Sequence, residues 1–412
     1  MPQKVLPEIE ASLGTREFFA DPYPLYHRLR SQAPVYWSDK LSCWLLTRYD
    51  DCLAALRDYR RLSNRDRMTV LLSPLGADTS ERFSLVRRHF CQGVIFSDPP
   101  DHSRLRTLVN KAFTPGTVEK MRPRIEQTVR ELLDAMQDKG ETDLIQDFAF
   151  PLPNTVRCEI LGLPIEDTIQ LKKWAEGIVA LFGGGADPER IERGQQSLIA
   201  VRGYLSRLIA ERRRKPGDDL LSTLIQAREQ DDKLSEDELL STCSTLFSAS
   251  QETTTSVISS GMLALFRNPE QMRKLRENPD LIETTVEEIL RFDGPLQRQL
   301  RAATEDFELR GEQIRKGQMV CPVLAAANRD PEQFPNPDQF DITRAENQHI
   351  AFGYGVHWCV GAPLARVEVQ VAINALLRRL PGIELNTDTL ERPEDYTVRS
   401  LKSLPVRWQL KT

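Results

Sequence analysis

Apolar positions follow two different rhythms along this chain. Over the first hundred residues, short extended runs such as Pro34-Val35-Tyr36-Trp37 and Cys43-Trp44-Leu45-Leu46-Thr47 are mixed with helical segments. The stretch from Trp37 to Thr47 predicts a hairpin turning at Asp39-Lys40. From about Leu105 to Leu300 the spacing is mostly helical, punctuated by Pro and Gly. Val201 to Arg214 holds the helical period and runs into Arg212-Arg213-Arg214-Lys215-Pro216-Gly217. Cations suit the C-terminal end of a helix and Pro-Gly stops it, so this run predicts a solvated helix end and not a binding patch.

The next helix is the longest. Ser235 and Glu238 form a capping-box pattern, and helical spacing continues to about Arg267, before Asn268-Pro269. At about 1.5 Å per residue this is roughly 45 Å, enough to cross the molecule. Its ends are apolar, with Leu239, Leu240, Leu246 and Phe247 at one end and Ile258, Met262, Leu263 and Leu265 at the other. Its middle is Ser248-Ala249-Ser250-Gln251-Glu252-Thr253-Thr254-Thr255. A polar, β-branched patch inside a core helix is costly unless it is satisfied or used.

Composition narrows the partners. A net charge of -5 over 412 residues argues against nucleic acid, since phosphate binding needs concentrated Lys and Arg. No apolar run reaches the roughly 18 residues that span a bilayer, and no apolar signal core follows Met1-Pro2-Gln3-Lys4, so a cytoplasmic protein is expected. The seven cysteines are scattered without CxxC pairs, which suits reduced thiols rather than a disulfide framework.

One of those cysteines stands in an unusual setting: Phe352-Gly353-Tyr354-Gly355-Val356-His357-Trp358-Cys359-Val360-Gly361-Ala362-Pro363-Leu364-Ala365-Arg366. Alternating glycines permit a tight loop and close approach of backbone to a flat ligand. Cys359 then precedes an apolar helix continuing through Leu364, Ala365, Val367, Val369 and Val371. A thiolate at a helix N-terminus is stabilised by the dipole and by free N–H groups. Small residues at Gly361 and Ala362 let that helix lie against a macrocycle. By themselves these residues reach only as far as a thiolate-ligated iron centre.

The segment fits the pattern FGxGxHxCxGxxLAR at every defined position, and in this it resembles the haem-binding signature of bacterial cytochromes P450. Further motifs fall in the family's order. Asp98-Pro99-Pro100-Asp101-His102 with Arg106 resembles the helix that meets the haem propionates, His102 and Arg106 sharing one face at i and i+4. Arg301 and His357 match two more propionate contacts, and Phe352, Gly353, Gly361 and Ala249 match positions against the haem. Glu288-Ile289-Leu290-Arg291 matches the ExxR element, which with Arg344 forms a buried structural network in the family. The resemblance implies a mainly α fold with a small β-rich region: a triangular prism with the long central helix over the haem. It makes residues 1–412 one haem-binding domain, where length alone suggests about two or three domains. The cofactor implied is haem b (iron protoporphyrin IX), with Cys359 as the metal ligand.

Ala249-Ser250-Gln251-Glu252-Thr253 aligns with the family's oxygen-activation motif, small-Gly-x-acid-Thr. The resemblance gives Thr253 a hydrogen bond to bound O2 and Glu252 a part in relaying protons. Ser250 departs from the pattern, standing where the family usually has Gly. The substrate pocket is expected among Leu246, Phe247, Ser250, Leu296, Gln297 and Leu401. A long loop from Arg65 to Phe96, including Leu75, should cover it, and Gly183-Gly184-Gly185 is a candidate hinge. The implied activity is insertion of one atom of O2 into a C–H bond of a hydrophobic small molecule, or epoxidation; terpenoid, steroid, fatty acid and secondary metabolite all fit. With Glu252 and Thr253 both present and no room for a flavin domain, electrons are expected from a ferredoxin and an NAD(P)H-dependent ferredoxin reductase. That ferredoxin would dock near Arg104, Lys111 and Arg366. Two other readings remain open here: an oxidase that couples radicals without inserting oxygen, and an inactive haem-bearing interaction protein.

Overall fold

The computed structural model describes residues 6–72, 83–113, 115–181, 187–229 and 234–410. Leu75 and the glycines 183–185 lie outside the described residues. The hairpin forms as its sequence implies: Val35–Ser38 pairs antiparallel with Cys43–Leu46, Trp37 opposite Trp44. All four residues of Cys43–Leu46 are buried, as befits a strand covered on both faces. It pairs parallel with Met319–Pro322, and Arg301–Ala303 and Leu62–Ser63 complete the five-stranded sheet. A second sheet joins Glu141–Asp143, Pro405–Arg407 and Glu384–Leu385, bringing the chain's end back to its middle.

Helices account for most of the rest. The long helix runs Glu236–Arg267, 32 residues, and both halves of its capping box are made. Ser235 Oγ accepts from the Glu238 N–H at 3.2 Å, and Glu238 Oε2 accepts from the Ser235 N–H at 2.7 Å. Its N-terminal part, through Leu239, Leu240, Cys243 and Phe247, is embedded in one apolar cluster with Leu105, Leu108 and Val109. Its C-terminal part, from Val257 to Leu265, is embedded in another with Ile289, Ile373 and Leu376. The hydroxyl-rich segment lies between the two cores.

The basic run at 212–214 ends the helix Pro188–Arg214. Arg212 pairs with Asp219 at 2.7 Å and Arg213 with Glu236 at 2.6 Å, so these cations staple helix ends together. Where a loop over 65–96 is expected, the described residues include the helices Arg65–Leu72 and Ser84–Cys91. The second buries Val86, His89 and Phe90 on one side, an amphipathic face too short to stand out from the sequence. Among the described residues no helix is long and apolar enough to cross a membrane.

Candidate functional site

Cys359 sits at the bottom of a cavity of about 410 Å³ between the long helix and the helix Ala362–Arg379. The loop before it is shaped by Gly353 and Gly355, at φ +72° and +71°. A Cβ at Gly355 would stand 3.1 Å from the Leu56 carbonyl oxygen, so backbone conformation and space both demand glycine there. The Cys359 N–H donates to the Phe352 carbonyl at 3.0 Å and closes the loop. Burial pushes the Cys359 thiol up; the N–H of Gly361, Arg106, the N–H of Ala362 and Arg366 all pull the other way. A Lewis-acidic metal at the sulfur would complete the shift to thiolate. A Cβ on Gly361 would meet Sγ only at 3.9 Å, so this face of the loop is open.

Four basic side chains crowd the same cavity. His102 and His357 stack with ring centroids 4.2 Å apart. Both nitrogens of His102 and Nε2 of His357 are buried without a hydrogen-bond partner. Burial, then Arg106, holds His102 down to about 4; burial, then Arg301, holds His357 down to about 2. Arg301 is lowered to about 10 by burial and, among the described residues, donates only to neutral oxygens, the Leu300 carbonyl and Gln299 Oε1. Buried donors without an acid are expensive. A dianionic group with two carboxylates supplies what this cluster lacks, which is the test that haem passes here.

Above Cys359, the long helix presents Leu246, Ala249, Ser250, Glu252 and Thr253 to the cavity. The Ser250 hydroxyl is buried and unpartnered. Thr253 Oγ1 donates to the Ala249 carbonyl at 3.0 Å, and Thr254, Thr255 and Ser256 each donate to the carbonyl four residues back. Burial raises Glu252 to about 7, and Asp395 and Glu176 add to the shift.

Three expected pocket residues lie elsewhere. Phe247 is rotated about 100° from Leu246 on the helix and packs beneath the Arg157 guanidinium, 4.5 Å from its ring centroid. Gln297 turns away from its neighbour Leu296, which does line the cavity, and donates to the Gly294 carbonyl at 2.9 Å. Leu401 belongs to the apolar core; Thr397 and Val398 face the cavity in its place, Val398 bridging to Leu296. Of the basic docking residues, Arg104 pairs with Glu238 and Arg366 makes a bidentate pair with Glu287, while Lys111 is exposed.

Glu288, Arg291 and Arg344 come together away from the cavity. Both Glu288 oxygens bind Arg291, at 2.7 and 2.8 Å, and Oε2 also takes Arg344 Nε at 3.1 Å. Arg291 then donates to the carbonyls of Asn328, Pro337 and Gln339. Sequence reasoning missed Arg67, Arg157, Arg298 and Glu368, all of which line the cavity. Nothing local marks them, because an isolated charged residue is solvent-exposed by default.

The comparisons decide what this arrangement is. The family model described as "Cytochrome P450" matches residues 62–408. This chain belongs to the cytochrome P450 family. It is 41% identical over 403 residues to the biotin biosynthesis cytochrome P450 of Bacillus subtilis (strain 168), covering 97% of this chain and 100% of the relative. The crystal structure of P450BioI in complex with a hexadec-9Z-enoic acid ligated acyl carrier protein superposes with a TM-score of 0.88 at 40% identity, covering 96% of this chain and 99% of that one. A myxobacterial cytochrome P450 in complex with myristic acid gives 0.89 at 40% identity, covering 98% and 100%. The fold is therefore the P450 fold, the enzyme class is monooxygenase, and the cofactor is haem b.

Proposed function

We propose that this P450 oxidises a hydrophobic small molecule above a haem whose iron is held by Cys359. What carries the proposal is the convergence of Cys359, His102, Arg106, Arg301 and His357 on one cavity, where none of the four basic side chains pairs with a carboxylate among the described residues. Cys359 supplies the thiolate, the four basic residues hold the two propionates, and Gly361 and Ala249 leave room for the flat ring from either face. Phe352 lines the cavity beside them and Gly353 shapes the loop that carries it. Haem held by these residues would supply the binding and reductive activation of O2 for transfer of one oxygen atom to substrate. Thr253 positions a hydroxyl over the ring, and Glu252, poised near neutrality, accepts protons from solvent and passes them inward. Ser250 adds a second hydroxyl beside them, one without a partner among the described residues. The Glu288–Arg291–Arg344 network holds the fold behind the site and touches neither haem nor substrate. We read the whole chain as one haem-binding domain working in the cytoplasm.

Electrons come from a separate ferredoxin fed by an NAD(P)H-dependent reductase. The surface nearest Cys359 exposes Trp358 and Tyr354, with Arg57 stacked on Tyr354 at 4.6 Å, so the docking face is aromatic and only partly basic. The substrate is a medium-to-large apolar molecule, and the fatty acyl ligands carried by two of the structural relatives put acyl chains first among the candidates.

The test is the absorption spectrum of the reduced, carbon-monoxide-bound protein. A strongly red-shifted Soret band in wild type, lost in Cys359→Ser and Cys359→His, is expected. A histidine-like spectrum in wild type would overturn the assignment.

A further inference from the structure

Five arginines line the cavity among the described residues: Arg67, Arg106, Arg157, Arg298 and Arg301. None of them makes an ion pair with a carboxylate among the described residues. The cavity's own acids are Glu252 and Glu368, and burial raises them to about 7 and about 8, so neither is a firm counter-charge. Guanidinium stays charged throughout the physiological range. Haem brings two propionates, and on the reading above these meet Arg106 and Arg301 together with the two histidines. Three cations are left over.

Those three are not equivalent. Arg157 spends its terminal nitrogens on the Phe247 carbonyl, Gln251 Oε1 and Asn154 Oδ1. Arg67 donates to the Leu300 carbonyl at 3.1 Å and covers the Phe96 ring at 4.3 Å. Arg298 has no oxygen partner among the described residues. It is 6% exposed, its Nε is buried without an acceptor, and its guanidinium lies 4.9 Å from the Tyr396 ring centroid. Its polar neighbour is the thiol of Cys321, a weak acceptor. Arg298 lines the cavity with its Nε unpartnered, and a guanidinium with donors to spare is a planar fork that a single carboxylate fits.

We propose that Arg298 anchors a carboxylate of the substrate, so that this P450 takes a free acid with an apolar body. The proposal rests on the monooxygenase reading above and refines its substrate class. Binding the acid form exchanges an unpaired buried cation for a charge-assisted pair, whereas an ester or a carrier-bound thioester leaves the cation unmatched. Discrimination should therefore fall on the head group and hardly on the chain.

The experiment is a spin-state titration of the haem-loaded protein with myristic acid and with its methyl ester, in wild type, Arg298→Gln and Arg298→Lys. Wild type is expected to bind the acid at least tenfold more tightly than the ester. Arg298→Gln should lose that preference through weaker acid binding with ester binding unchanged, and Arg298→Lys should restore part of it. Equal binding of acid and ester by wild type, or an unaltered preference in Arg298→Gln, overturns the proposal. Loss of haem from Arg298→Gln also overturns it, since the arginine would then belong to the propionate site. A wild type with a thiolate spectrum that responds to neither ligand rejects the acid class alone. A wild type without a thiolate spectrum rejects the monooxygenase reading itself.

Discussion

Two groups of buried charge sit within this fold and are finished differently. Around Glu288, two arginines share a carboxylate that also accepts from Asn347 and from the Asp341 N–H, and every remaining guanidinium edge of Arg291 meets a carbonyl. Along the cavity wall, His102, His357, Arg298 and Ser250 keep donors or acceptors with nothing to bind. A satisfied cluster holds strands and helices in register. An unsatisfied one marks where something from outside completes the structure.

The two groups should therefore respond oppositely to deletion. The largest effect is expected for Arg291→Met, which removes the bidentate partner of a buried carboxylate: about 3–5 kcal/mol of stability is lost, and the melting temperature and haem content should fall together. Glu252→Gln comes next, with product formation down roughly a hundredfold and haem retained. Wild-type activity should also decline as pH rises through about 7, where Glu252 loses its donatable proton, and a pH–rate profile of the Gln variant should lack that inflection. Arg106→Met should weaken haem retention about tenfold, roughly 1.4 kcal/mol, yet leave the haem-free protein at least as stable, because it removes a cation with no partner. A less stable haem-free Arg106→Met protein would break the distinction drawn between the two groups. The smallest effect is expected for Ser250→Gly: roughly 0.5–1 kcal/mol of helix stability is lost, haem stays bound, and the fraction of NADH consumed that yields product changes. Identical coupling in the two proteins would remove any special role for this hydroxyl.

Much of this is legible in the sequence, and for identifiable reasons. The capping box at Ser235 and the Asn268-Pro269 stop fixed the long helix, because end signals are local. The Cys359 loop was legible because its glycines have positive φ and its spacing is rigid. Side-chain direction was harder. Phe247 is apolar whichever core it enters, and only the position of Arg157 shows which face it takes. Arg298 and Glu368 were invisible, since their burial is produced by strands and helices far away in sequence.

The ladder of hydroxyls on the long helix has a mechanical consequence. From Thr253 to Ser256, each side chain offers a proton to a carbonyl that the backbone N–H four residues on already uses. Such shared carbonyls soften a helix over about one turn, while the segments on either side are clamped in separate apolar cores. Ser244 and Ser259 share carbonyls in the same way inside those cores, so it is packing on the flanks that distinguishes them from the middle turn. Thr253 and Thr254 of that turn line the chamber, which puts the least clamped backbone of the long helix in its wall.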